Sequence, residues 1–163
     1  MHNLTFSYRS EEDLVFGVNY QYYLRVPVLC DLKHYTNRKI RFLVDTGAYI
    51  TMINSRVSLR LGFDKLPSIV DDFPLTGIGG ACKAALKEIP GMIIGDRTLK
   101  GVKIAIPHDE TKYNILGLNV LEHFKFLIDT NLNKIYFCDN PNYRMPNELK
   151  CADVLTVSKG ETK

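Results

Sequence analysis

The chain has 163 residues, with 21 Lys or Arg against 18 Asp or Glu for a formal charge of +3, and it is 45% hydrophobic and 24% charged. That balance describes one globular domain, long enough to remove roughly 70% of the unfolded surface from water without a disulfide or a metal. With 11 Gly and 7 Pro, collagen-like, low-complexity and wholly disordered classes are excluded. No run approaches the roughly 18 apolar residues of a membrane span, and Arg9, Glu11, Glu12 and Asp13 stand where a signal peptide carries an apolar block. The expectation is a cytoplasmic protein with no membrane partner. Cys30, Cys82, Cys138 and Cys151 form no Cys-x-x-Cys pair, so reduced thiols are expected rather than a zinc site or disulfide framework. Basic and acidic residues are mixed along the length, and nucleic acid is not an expected partner.

Residues 1–19 are weakly patterned. A domain is expected over 20–140, with 141–163 as a C-terminal extension that could add a dimer-contact strand over Leu149 to Val157 before a flexible tail. Alternation of apolar and polar positions predicts strands through Leu24, Val26 and Val28, through Ile40, Phe42 and Val44, and through Val102, Ile104 and Ile106. The polar stretch from Asp31 to Arg38 reads as a hairpin loop, and Pro27 inside a strand argues for an edge or a bulge. Asn54 or Ser55 can cap a short helix that stops at Gly62, and Asn119 can cap Val120 to Phe124. Each helix is too short to form without tertiary packing. Gly95-Asp96 predicts a tight turn, and a last hairpin is expected from Phe126-Leu127-Ile128 to Ile135-Tyr136-Phe137.

The segment with most chemical content is Phe42-Leu43-Val44-Asp45-Thr46-Gly47-Ala48, an apolar strand that delivers a carboxylate into a turn. Alone, Asp-Thr-Gly also fits a solvated Asx turn. Two later segments change that: Leu75-Thr76-Gly77-Ile78-Gly79-Gly80, and Tyr113-Asn114-Ile115-Leu116-Gly117-Leu118-Asn119. In this order and spacing the three resemble the retropepsin family, the single-lobe aspartic proteases of retroviruses and their cellular relatives, over roughly residues 20 to 138.

The resemblance implies an all-β fold, a closed β-barrel with one or two short helices. It also implies a catalytic Asp45 with Thr46 and Gly47 completing its loop, and a flap whose tip is Gly77, Ile78, Gly79 and Gly80. Substrate would be contacted by Leu43, Ala48, Tyr49, Ile50 and Ile115 as well as the flap, with Leu116, Gly117 and Asn119 supporting the site from below. No metal or organic cofactor is implied. Hydrolysis by this route needs two carboxylates sharing one proton. With a single Asp-Thr-Gly, the implied partner is a second copy of the chain, and the implied substrate an extended peptide. Asp129-Thr130-Asn131 is not a second copy of the motif, because Asn131 replaces the glycine and its flanks match a hairpin turn.

Viral members usually carry Asp at the position of Tyr49 and Arg at that of Leu118. Loss of both charges together is close to neutral, whereas loss of one strands the other. The pair of changes points toward cellular relatives, bacterial ones included. Ala48 has no hydroxyl to bond an ionised aspartate, which implies activity persisting toward neutral pH. The principal alternative is the same fold used as a dimerisation or peptide-binding module without cleavage. Gly77 to Lys83 lacks the Gly-Lys-Ser/Thr ending of a phosphate loop, and His2, His34, His108 and His123 have no metal-ligand spacing. Cys82 has no His partner in view, and Asp71-Asp72 and Asp109-Glu110 read as solvated loops.

Overall fold

The computed structural model describes residues 10–13, 15–16, 22–29, 38–77, 80–95, 97–129 and 134–138. In chain order these form β1 (Ser10–Asp13), β2 (Val15–Phe16), β3 (Tyr22–Leu29), β4 (Arg38–Val44), α1 (Ser55–Leu61), β5 (Ser68–Gly77), β6 (Gly80–Ile94), β7 (Arg97–Pro107), β8 (Ile115–Leu116), α2 (Leu118–Leu121), β9 (Lys125–Asp129) and β10 (Lys134–Cys138). The fold is mostly β, with two short helices. The Leu149 to Val157 strand expected from the sequence, and the flap residues Ile78 and Gly79, lie outside the described residues.

Alternation built the central strands as expected. Leu24, Val26 and Val28 of β3 face Phe42, Ile40 and Arg38 of β4 in antiparallel register, and all but Arg38 are buried. Pro27 sits opposite Lys39, at a point where, among the described residues, β3 has no partner on its other side, since β2 pairs with Tyr22–Tyr23 and β6 with Val28–Leu29. A residue without an N–H is tolerated there.

The larger sheet runs β5-β6-β3-β4-β8, with β2 on β3 and β7 on β6. Met52 extends it, bridging Ala105 of β7 in parallel and Ile115 of β8 in antiparallel sense. Its N–H donates to Ile115 O at 2.8 Å and its carbonyl accepts from Ile115 N at 2.8 Å, while Ile53 N donates to Ala105 O at 3.0 Å. Pairings therefore pass from β3 through β4, β8, Met52, β7 and β6 back to β3, leaving β5 outside the circuit. A second sheet, β1-β10-β9, packs Ile135 and Phe137 into the same apolar core as Leu24, Phe42 and Leu116.

Two local expectations are corrected. Asp71-Asp72 is not a loop: both residues belong to β5, where Asp72 Oδ2 accepts from Lys83 Nζ at 3.2 Å and Asp71 O lies 2.8 Å from His108 Nε2. The second helix begins at Leu118 rather than after Asn119, because the Asn119 side chain is committed to Thr51 and Lys103. α1 follows the expected caps: Asn54 Oδ1 accepts from Val57 N at 2.8 Å, and Gly62 closes it at φ 76°.

Gly91 lies where β6 is squeezed between two strands, paired with Leu29 and with Lys100. A Cβ there would stand 2.3 Å from Leu99 O, so backbone must move to admit it. Gly91→Ala is expected to lower unfolding free energy by about 3 kcal/mol in a urea titration, near the upper range of overpacking costs.

Candidate active site

Asp45 sits at the end of β4, half-buried, with its backbone N–H donating to Leu116 O at 3.1 Å. The chain turns at once: Ala48 N donates to Asp45 O at 3.2 Å, and Asp45 Oδ1 accepts from Gly47 N at 2.8 Å. Gly47 suits this turn for a steric reason, since a Cβ there would come within 3.2 Å of that carboxylate oxygen. The Asx bond expected of an ordinary turn is thus present, and it fixes one carboxylate oxygen. Thr46 and Gly47 are exposed, as is Tyr49 at 78%.

Beneath the turn passes the third motif. β8 lies parallel to β4, pairing Ile115 with Leu43 and Leu116 with Val44, and Leu43 N donates to Asn114 O at 2.8 Å. The chain then crosses under the residues after Asp45: Leu118 N donates to Ala48 O at 2.8 Å and Asn119 N to Tyr49 O at 3.1 Å. At the crossing stands Gly117. A Cβ on it would lie 2.6 Å from Ile50 C, 2.8 Å from Ile50 O and 2.9 Å from Ala48 O, distances that only glycine avoids.

The buried hydroxyl of Thr51 completes the support. Its Oγ1 accepts from Gly117 N at 3.0 Å, its own N–H donates to Asn119 Oδ1 at 2.7 Å, and Asn119 Nδ2 passes on to Lys103 O at 2.8 Å. Asn114 performs a parallel task one strand away, with Oδ1 accepting from Asn54 N at 2.9 Å and Nδ2 donating to Arg41 O at 3.1 Å. Neither role was assigned from the sequence. A signal existed for Thr51, a polar residue inside the run Tyr49-Ile50-Thr51-Met52-Ile53.

Leu43, Asp45, Ala48, Tyr49, Ile50, Ile115, Leu116, Gly117 and Asn119 are thus gathered in one interlocked unit. Gly77 and Gly80 are placed elsewhere, opposite each other at the end of the β5–β6 hairpin. Lower on that hairpin, Phe73 and Leu86 share a cleft of about 680 Å³ with Tyr49, Ile50 and Asn119, which links the hairpin's base to the residues following Asp45. A larger cleft of about 820 Å³ beside α1, lined by Arg56, Arg60 and Glu110, contains no active-site residue expected from the sequence. Among the described residues no cluster of three or more His, Cys, Asp or Glu could hold a metal ion, and no helix is long and apolar enough to cross a membrane.

An aspartate presented by an interlocked Asp-Thr-Gly turn, over an apolar-apolar-Gly crossing, defines the aspartic-protease class of single-lobe β proteins. The chain belongs to the family described as gag-polyprotein putative aspartyl protease, whose model matches residues 34–123. Among solved structures it is similar to a retropepsin-like aspartic protease from Rickettsia conorii, at 25% identity and a TM-score of 0.58 over 82% of this chain and 96% of that one. It is also similar to the EIAV protease complexed with the inhibitor HBY-793, at 16% identity, TM-score 0.49, 66% of this chain and 91% of that one. A third is the retroviral protease-like domain of Ddi1 from Leishmania major, at 16% identity, TM-score 0.48, 76% of this chain and 96% of that one. No curated protein sequence matches the chain.

Thr51→Val keeps the shape of the buried side chain and leaves Gly117 N–H without its acceptor. The expected loss is about 1–3 kcal/mol by denaturant titration, the cost of an unsatisfied buried donor, and Thr51→Ser should recover most of it.

Proposed function

We propose that this chain is a homodimeric aspartic endopeptidase in which two Asp45 residues, one from each copy, activate a water against the carbonyl of an extended peptide. The observation that carries the reading is the position of Asp45. It is held at a strand end by backbone bonds to Leu116 and Gly47, yet remains half-exposed beside Thr46 and Gly47. Two such carboxylates brought together share one proton, since both cannot ionise at that separation. The ionised partner accepts a proton from the water as its oxygen attacks the scissile carbonyl. The protonated partner donates to that carbonyl oxygen.

Support for a second copy comes from the surface around the turn. Tyr49 is 78% and Leu118 37% exposed, and the bonds from Leu118 N to Ala48 O and from Asn119 N to Tyr49 O place both residues beside the Asp45 turn. Exposed apolar residues grouped at one place mark contact surfaces. In this reading Thr46 bonds the opposite loop, and Leu43, Ala48, Tyr49, Ile50 and Ile115 contact the peptide. The β5–β6 hairpin acts as a flap, with Ile78 and Gly79 between Gly77 and Gly80 at its tip. The circuit of pairings closed by Met52 supports reading the sheet as a barrel, with the protease unit taken as residues 20–140.

Asp45→Asn is expected to lower cleavage of a mixed peptide library by about 10³-fold or more, within the range of general acid–base contributions, while sedimentation still shows a dimer. Retained cleavage would overturn the reading, and a wild-type dimer that binds peptides without cutting them would favour a binding module. Leu118→Asp is expected to shift the sedimentation profile toward monomer, with activity returning as protein concentration rises.

A further inference from the structure

The outward face of the β3–β4 hairpin carries a charge pattern that the protease chemistry does not use. Alternation sends Tyr23, Arg25 and Pro27 of β3 to this side, opposite Leu43, Arg41 and Lys39 of β4, with the Tyr23 ring itself buried beneath the charged groups. Arg25 therefore stands directly across from Arg41, an arrangement that costs stability in a β-ladder. Both are exposed, as is Lys39. The Arg41 guanidinium lies 4.2 Å from the Tyr23 ring centre, Tyr23 lies 6.4 Å from Tyr113, and Lys112 Nζ lies 5.2 Å from the Tyr113 ring. Four cations thus follow one another along a single surface.

None of the four forms an ion pair among the described residues, whereas Arg56 is bridged by Glu110 at 2.7 Å and Lys83 by Asp72 at 3.2 Å. The aromatic rings hold Arg41 and Lys112 in place without neutralising them. Leu43 shares the same face two residues before Asp45, so the strip runs into the turn that carries the catalytic carboxylate. Arg41 and Lys39 are spaced by one strand repeat, about 7 Å, which matches alternate side chains of an extended chain.

We propose that this face docks an acidic segment, with Asp or Glu at alternate positions, of the polypeptide that enters the Asp45 site. Its role with substrate rests on the endopeptidase reading, whereas the binding itself does not. Carboxylates laid on the strip would relieve the Arg25–Arg41 repulsion and accept from both guanidinium groups.

The test uses the full chain carrying Asp45→Asn, so that nothing is cut, and a fluorescein-labelled decapeptide alternating Glu and Thr, read by anisotropy. Binding is expected at about 0.1 M salt and lost at about 1 M, where the Debye length falls from about 10 Å to 3 Å. Adding Arg41→Glu should weaken binding by about tenfold or more, as removal of a complementary charge does. The same change should raise the melting temperature, because Arg25 then faces an opposite charge; a merely structural Arg41 would not separate the two readouts. Arg56→Gln should change neither. Equal binding of the Gln-for-Glu peptide, unchanged binding after Arg41→Glu, or tighter capture of a single-stranded decanucleotide than of the peptide would each overturn the proposal. In the wild type, a Glu-Thr extension on a cleaved peptide should lower KM. Binding without any cleavage would count against the endopeptidase reading and leave the docking strip standing.

Discussion

The crossing at Gly117 is the constraint on which the site depends. Two backbone segments, 48–51 and 116–119, pass closer than any side chain would allow. That proximity lets the carbonyls of Ala48 and Tyr49 accept N–H groups from Leu118 and Asn119, and lets Thr51 reach Gly117 N. Asp45 is then tied twice, through its own N–H to Leu116 O and through the turn it begins. A carboxylate held by backbone at both ends of its turn cannot wander with a loop. This is the condition under which two of them could meet at a fixed distance, since positional error of even 1 Å costs catalysis heavily.

The same crossing organises the sheet. Met52 follows Thr51 immediately, and its paired bonds to Ile115 and its bridge to Ala105 join strands that have no direct ladder. A buried threonine within an otherwise apolar run is therefore a junction: its hydroxyl serves the Asp45 turn while its carbonyl accepts from Ala105 N at 2.9 Å. Most buried polar groups are partnered, and the partners of Thr51 tie the Asp45 turn to β7 and to the crossing at Gly117.

What could be read from the chain beforehand divides along physical lines. Strands whose buried and exposed positions alternate, β3, β4 and the stretch of β7 from Val102 to Ile104, announce themselves by period two. α1 does so through Asn54 and Gly62, whose signals are local. β5 does not, because most of its residues are exposed on both faces and carry no alternation. β6 breaks the pattern at Leu86-Lys87, both buried, where the lysine ammonium donates to the carbonyls of Asp64 and Leu66 at 2.8 and 2.7 Å. Asn119 looked like a helix cap because its competing partner, Thr51, lies 68 residues away. The three motifs marked the site itself, but their supports Thr51 and Asn114 act over long range and have no spacing rule. The basic strip escaped for a related reason: Arg25, Lys39, Arg41 and Lys112 are scattered in sequence and gathered only by strand register.

The apolar surface beside Asp45 can be weighed against what a stable pair of subunits requires. A standard interface buries about 800 Å² on each partner, whereas an aromatic side chain contributes at most about 150–250 Å². Tyr49, with Leu118 beside it, thus covers well under half of that need. What these two residues do offer is placement, since both are anchored to the rigid crossing through the bonds of Leu118 to Ala48 and of Asn119 to Tyr49. A preorganised anchor loses little freedom on association. In the dimeric reading, Tyr49 and Leu118 therefore govern the register in which two copies meet, and with it the alignment of the paired carboxylates, while the bulk of the affinity has to be drawn from a wider surface.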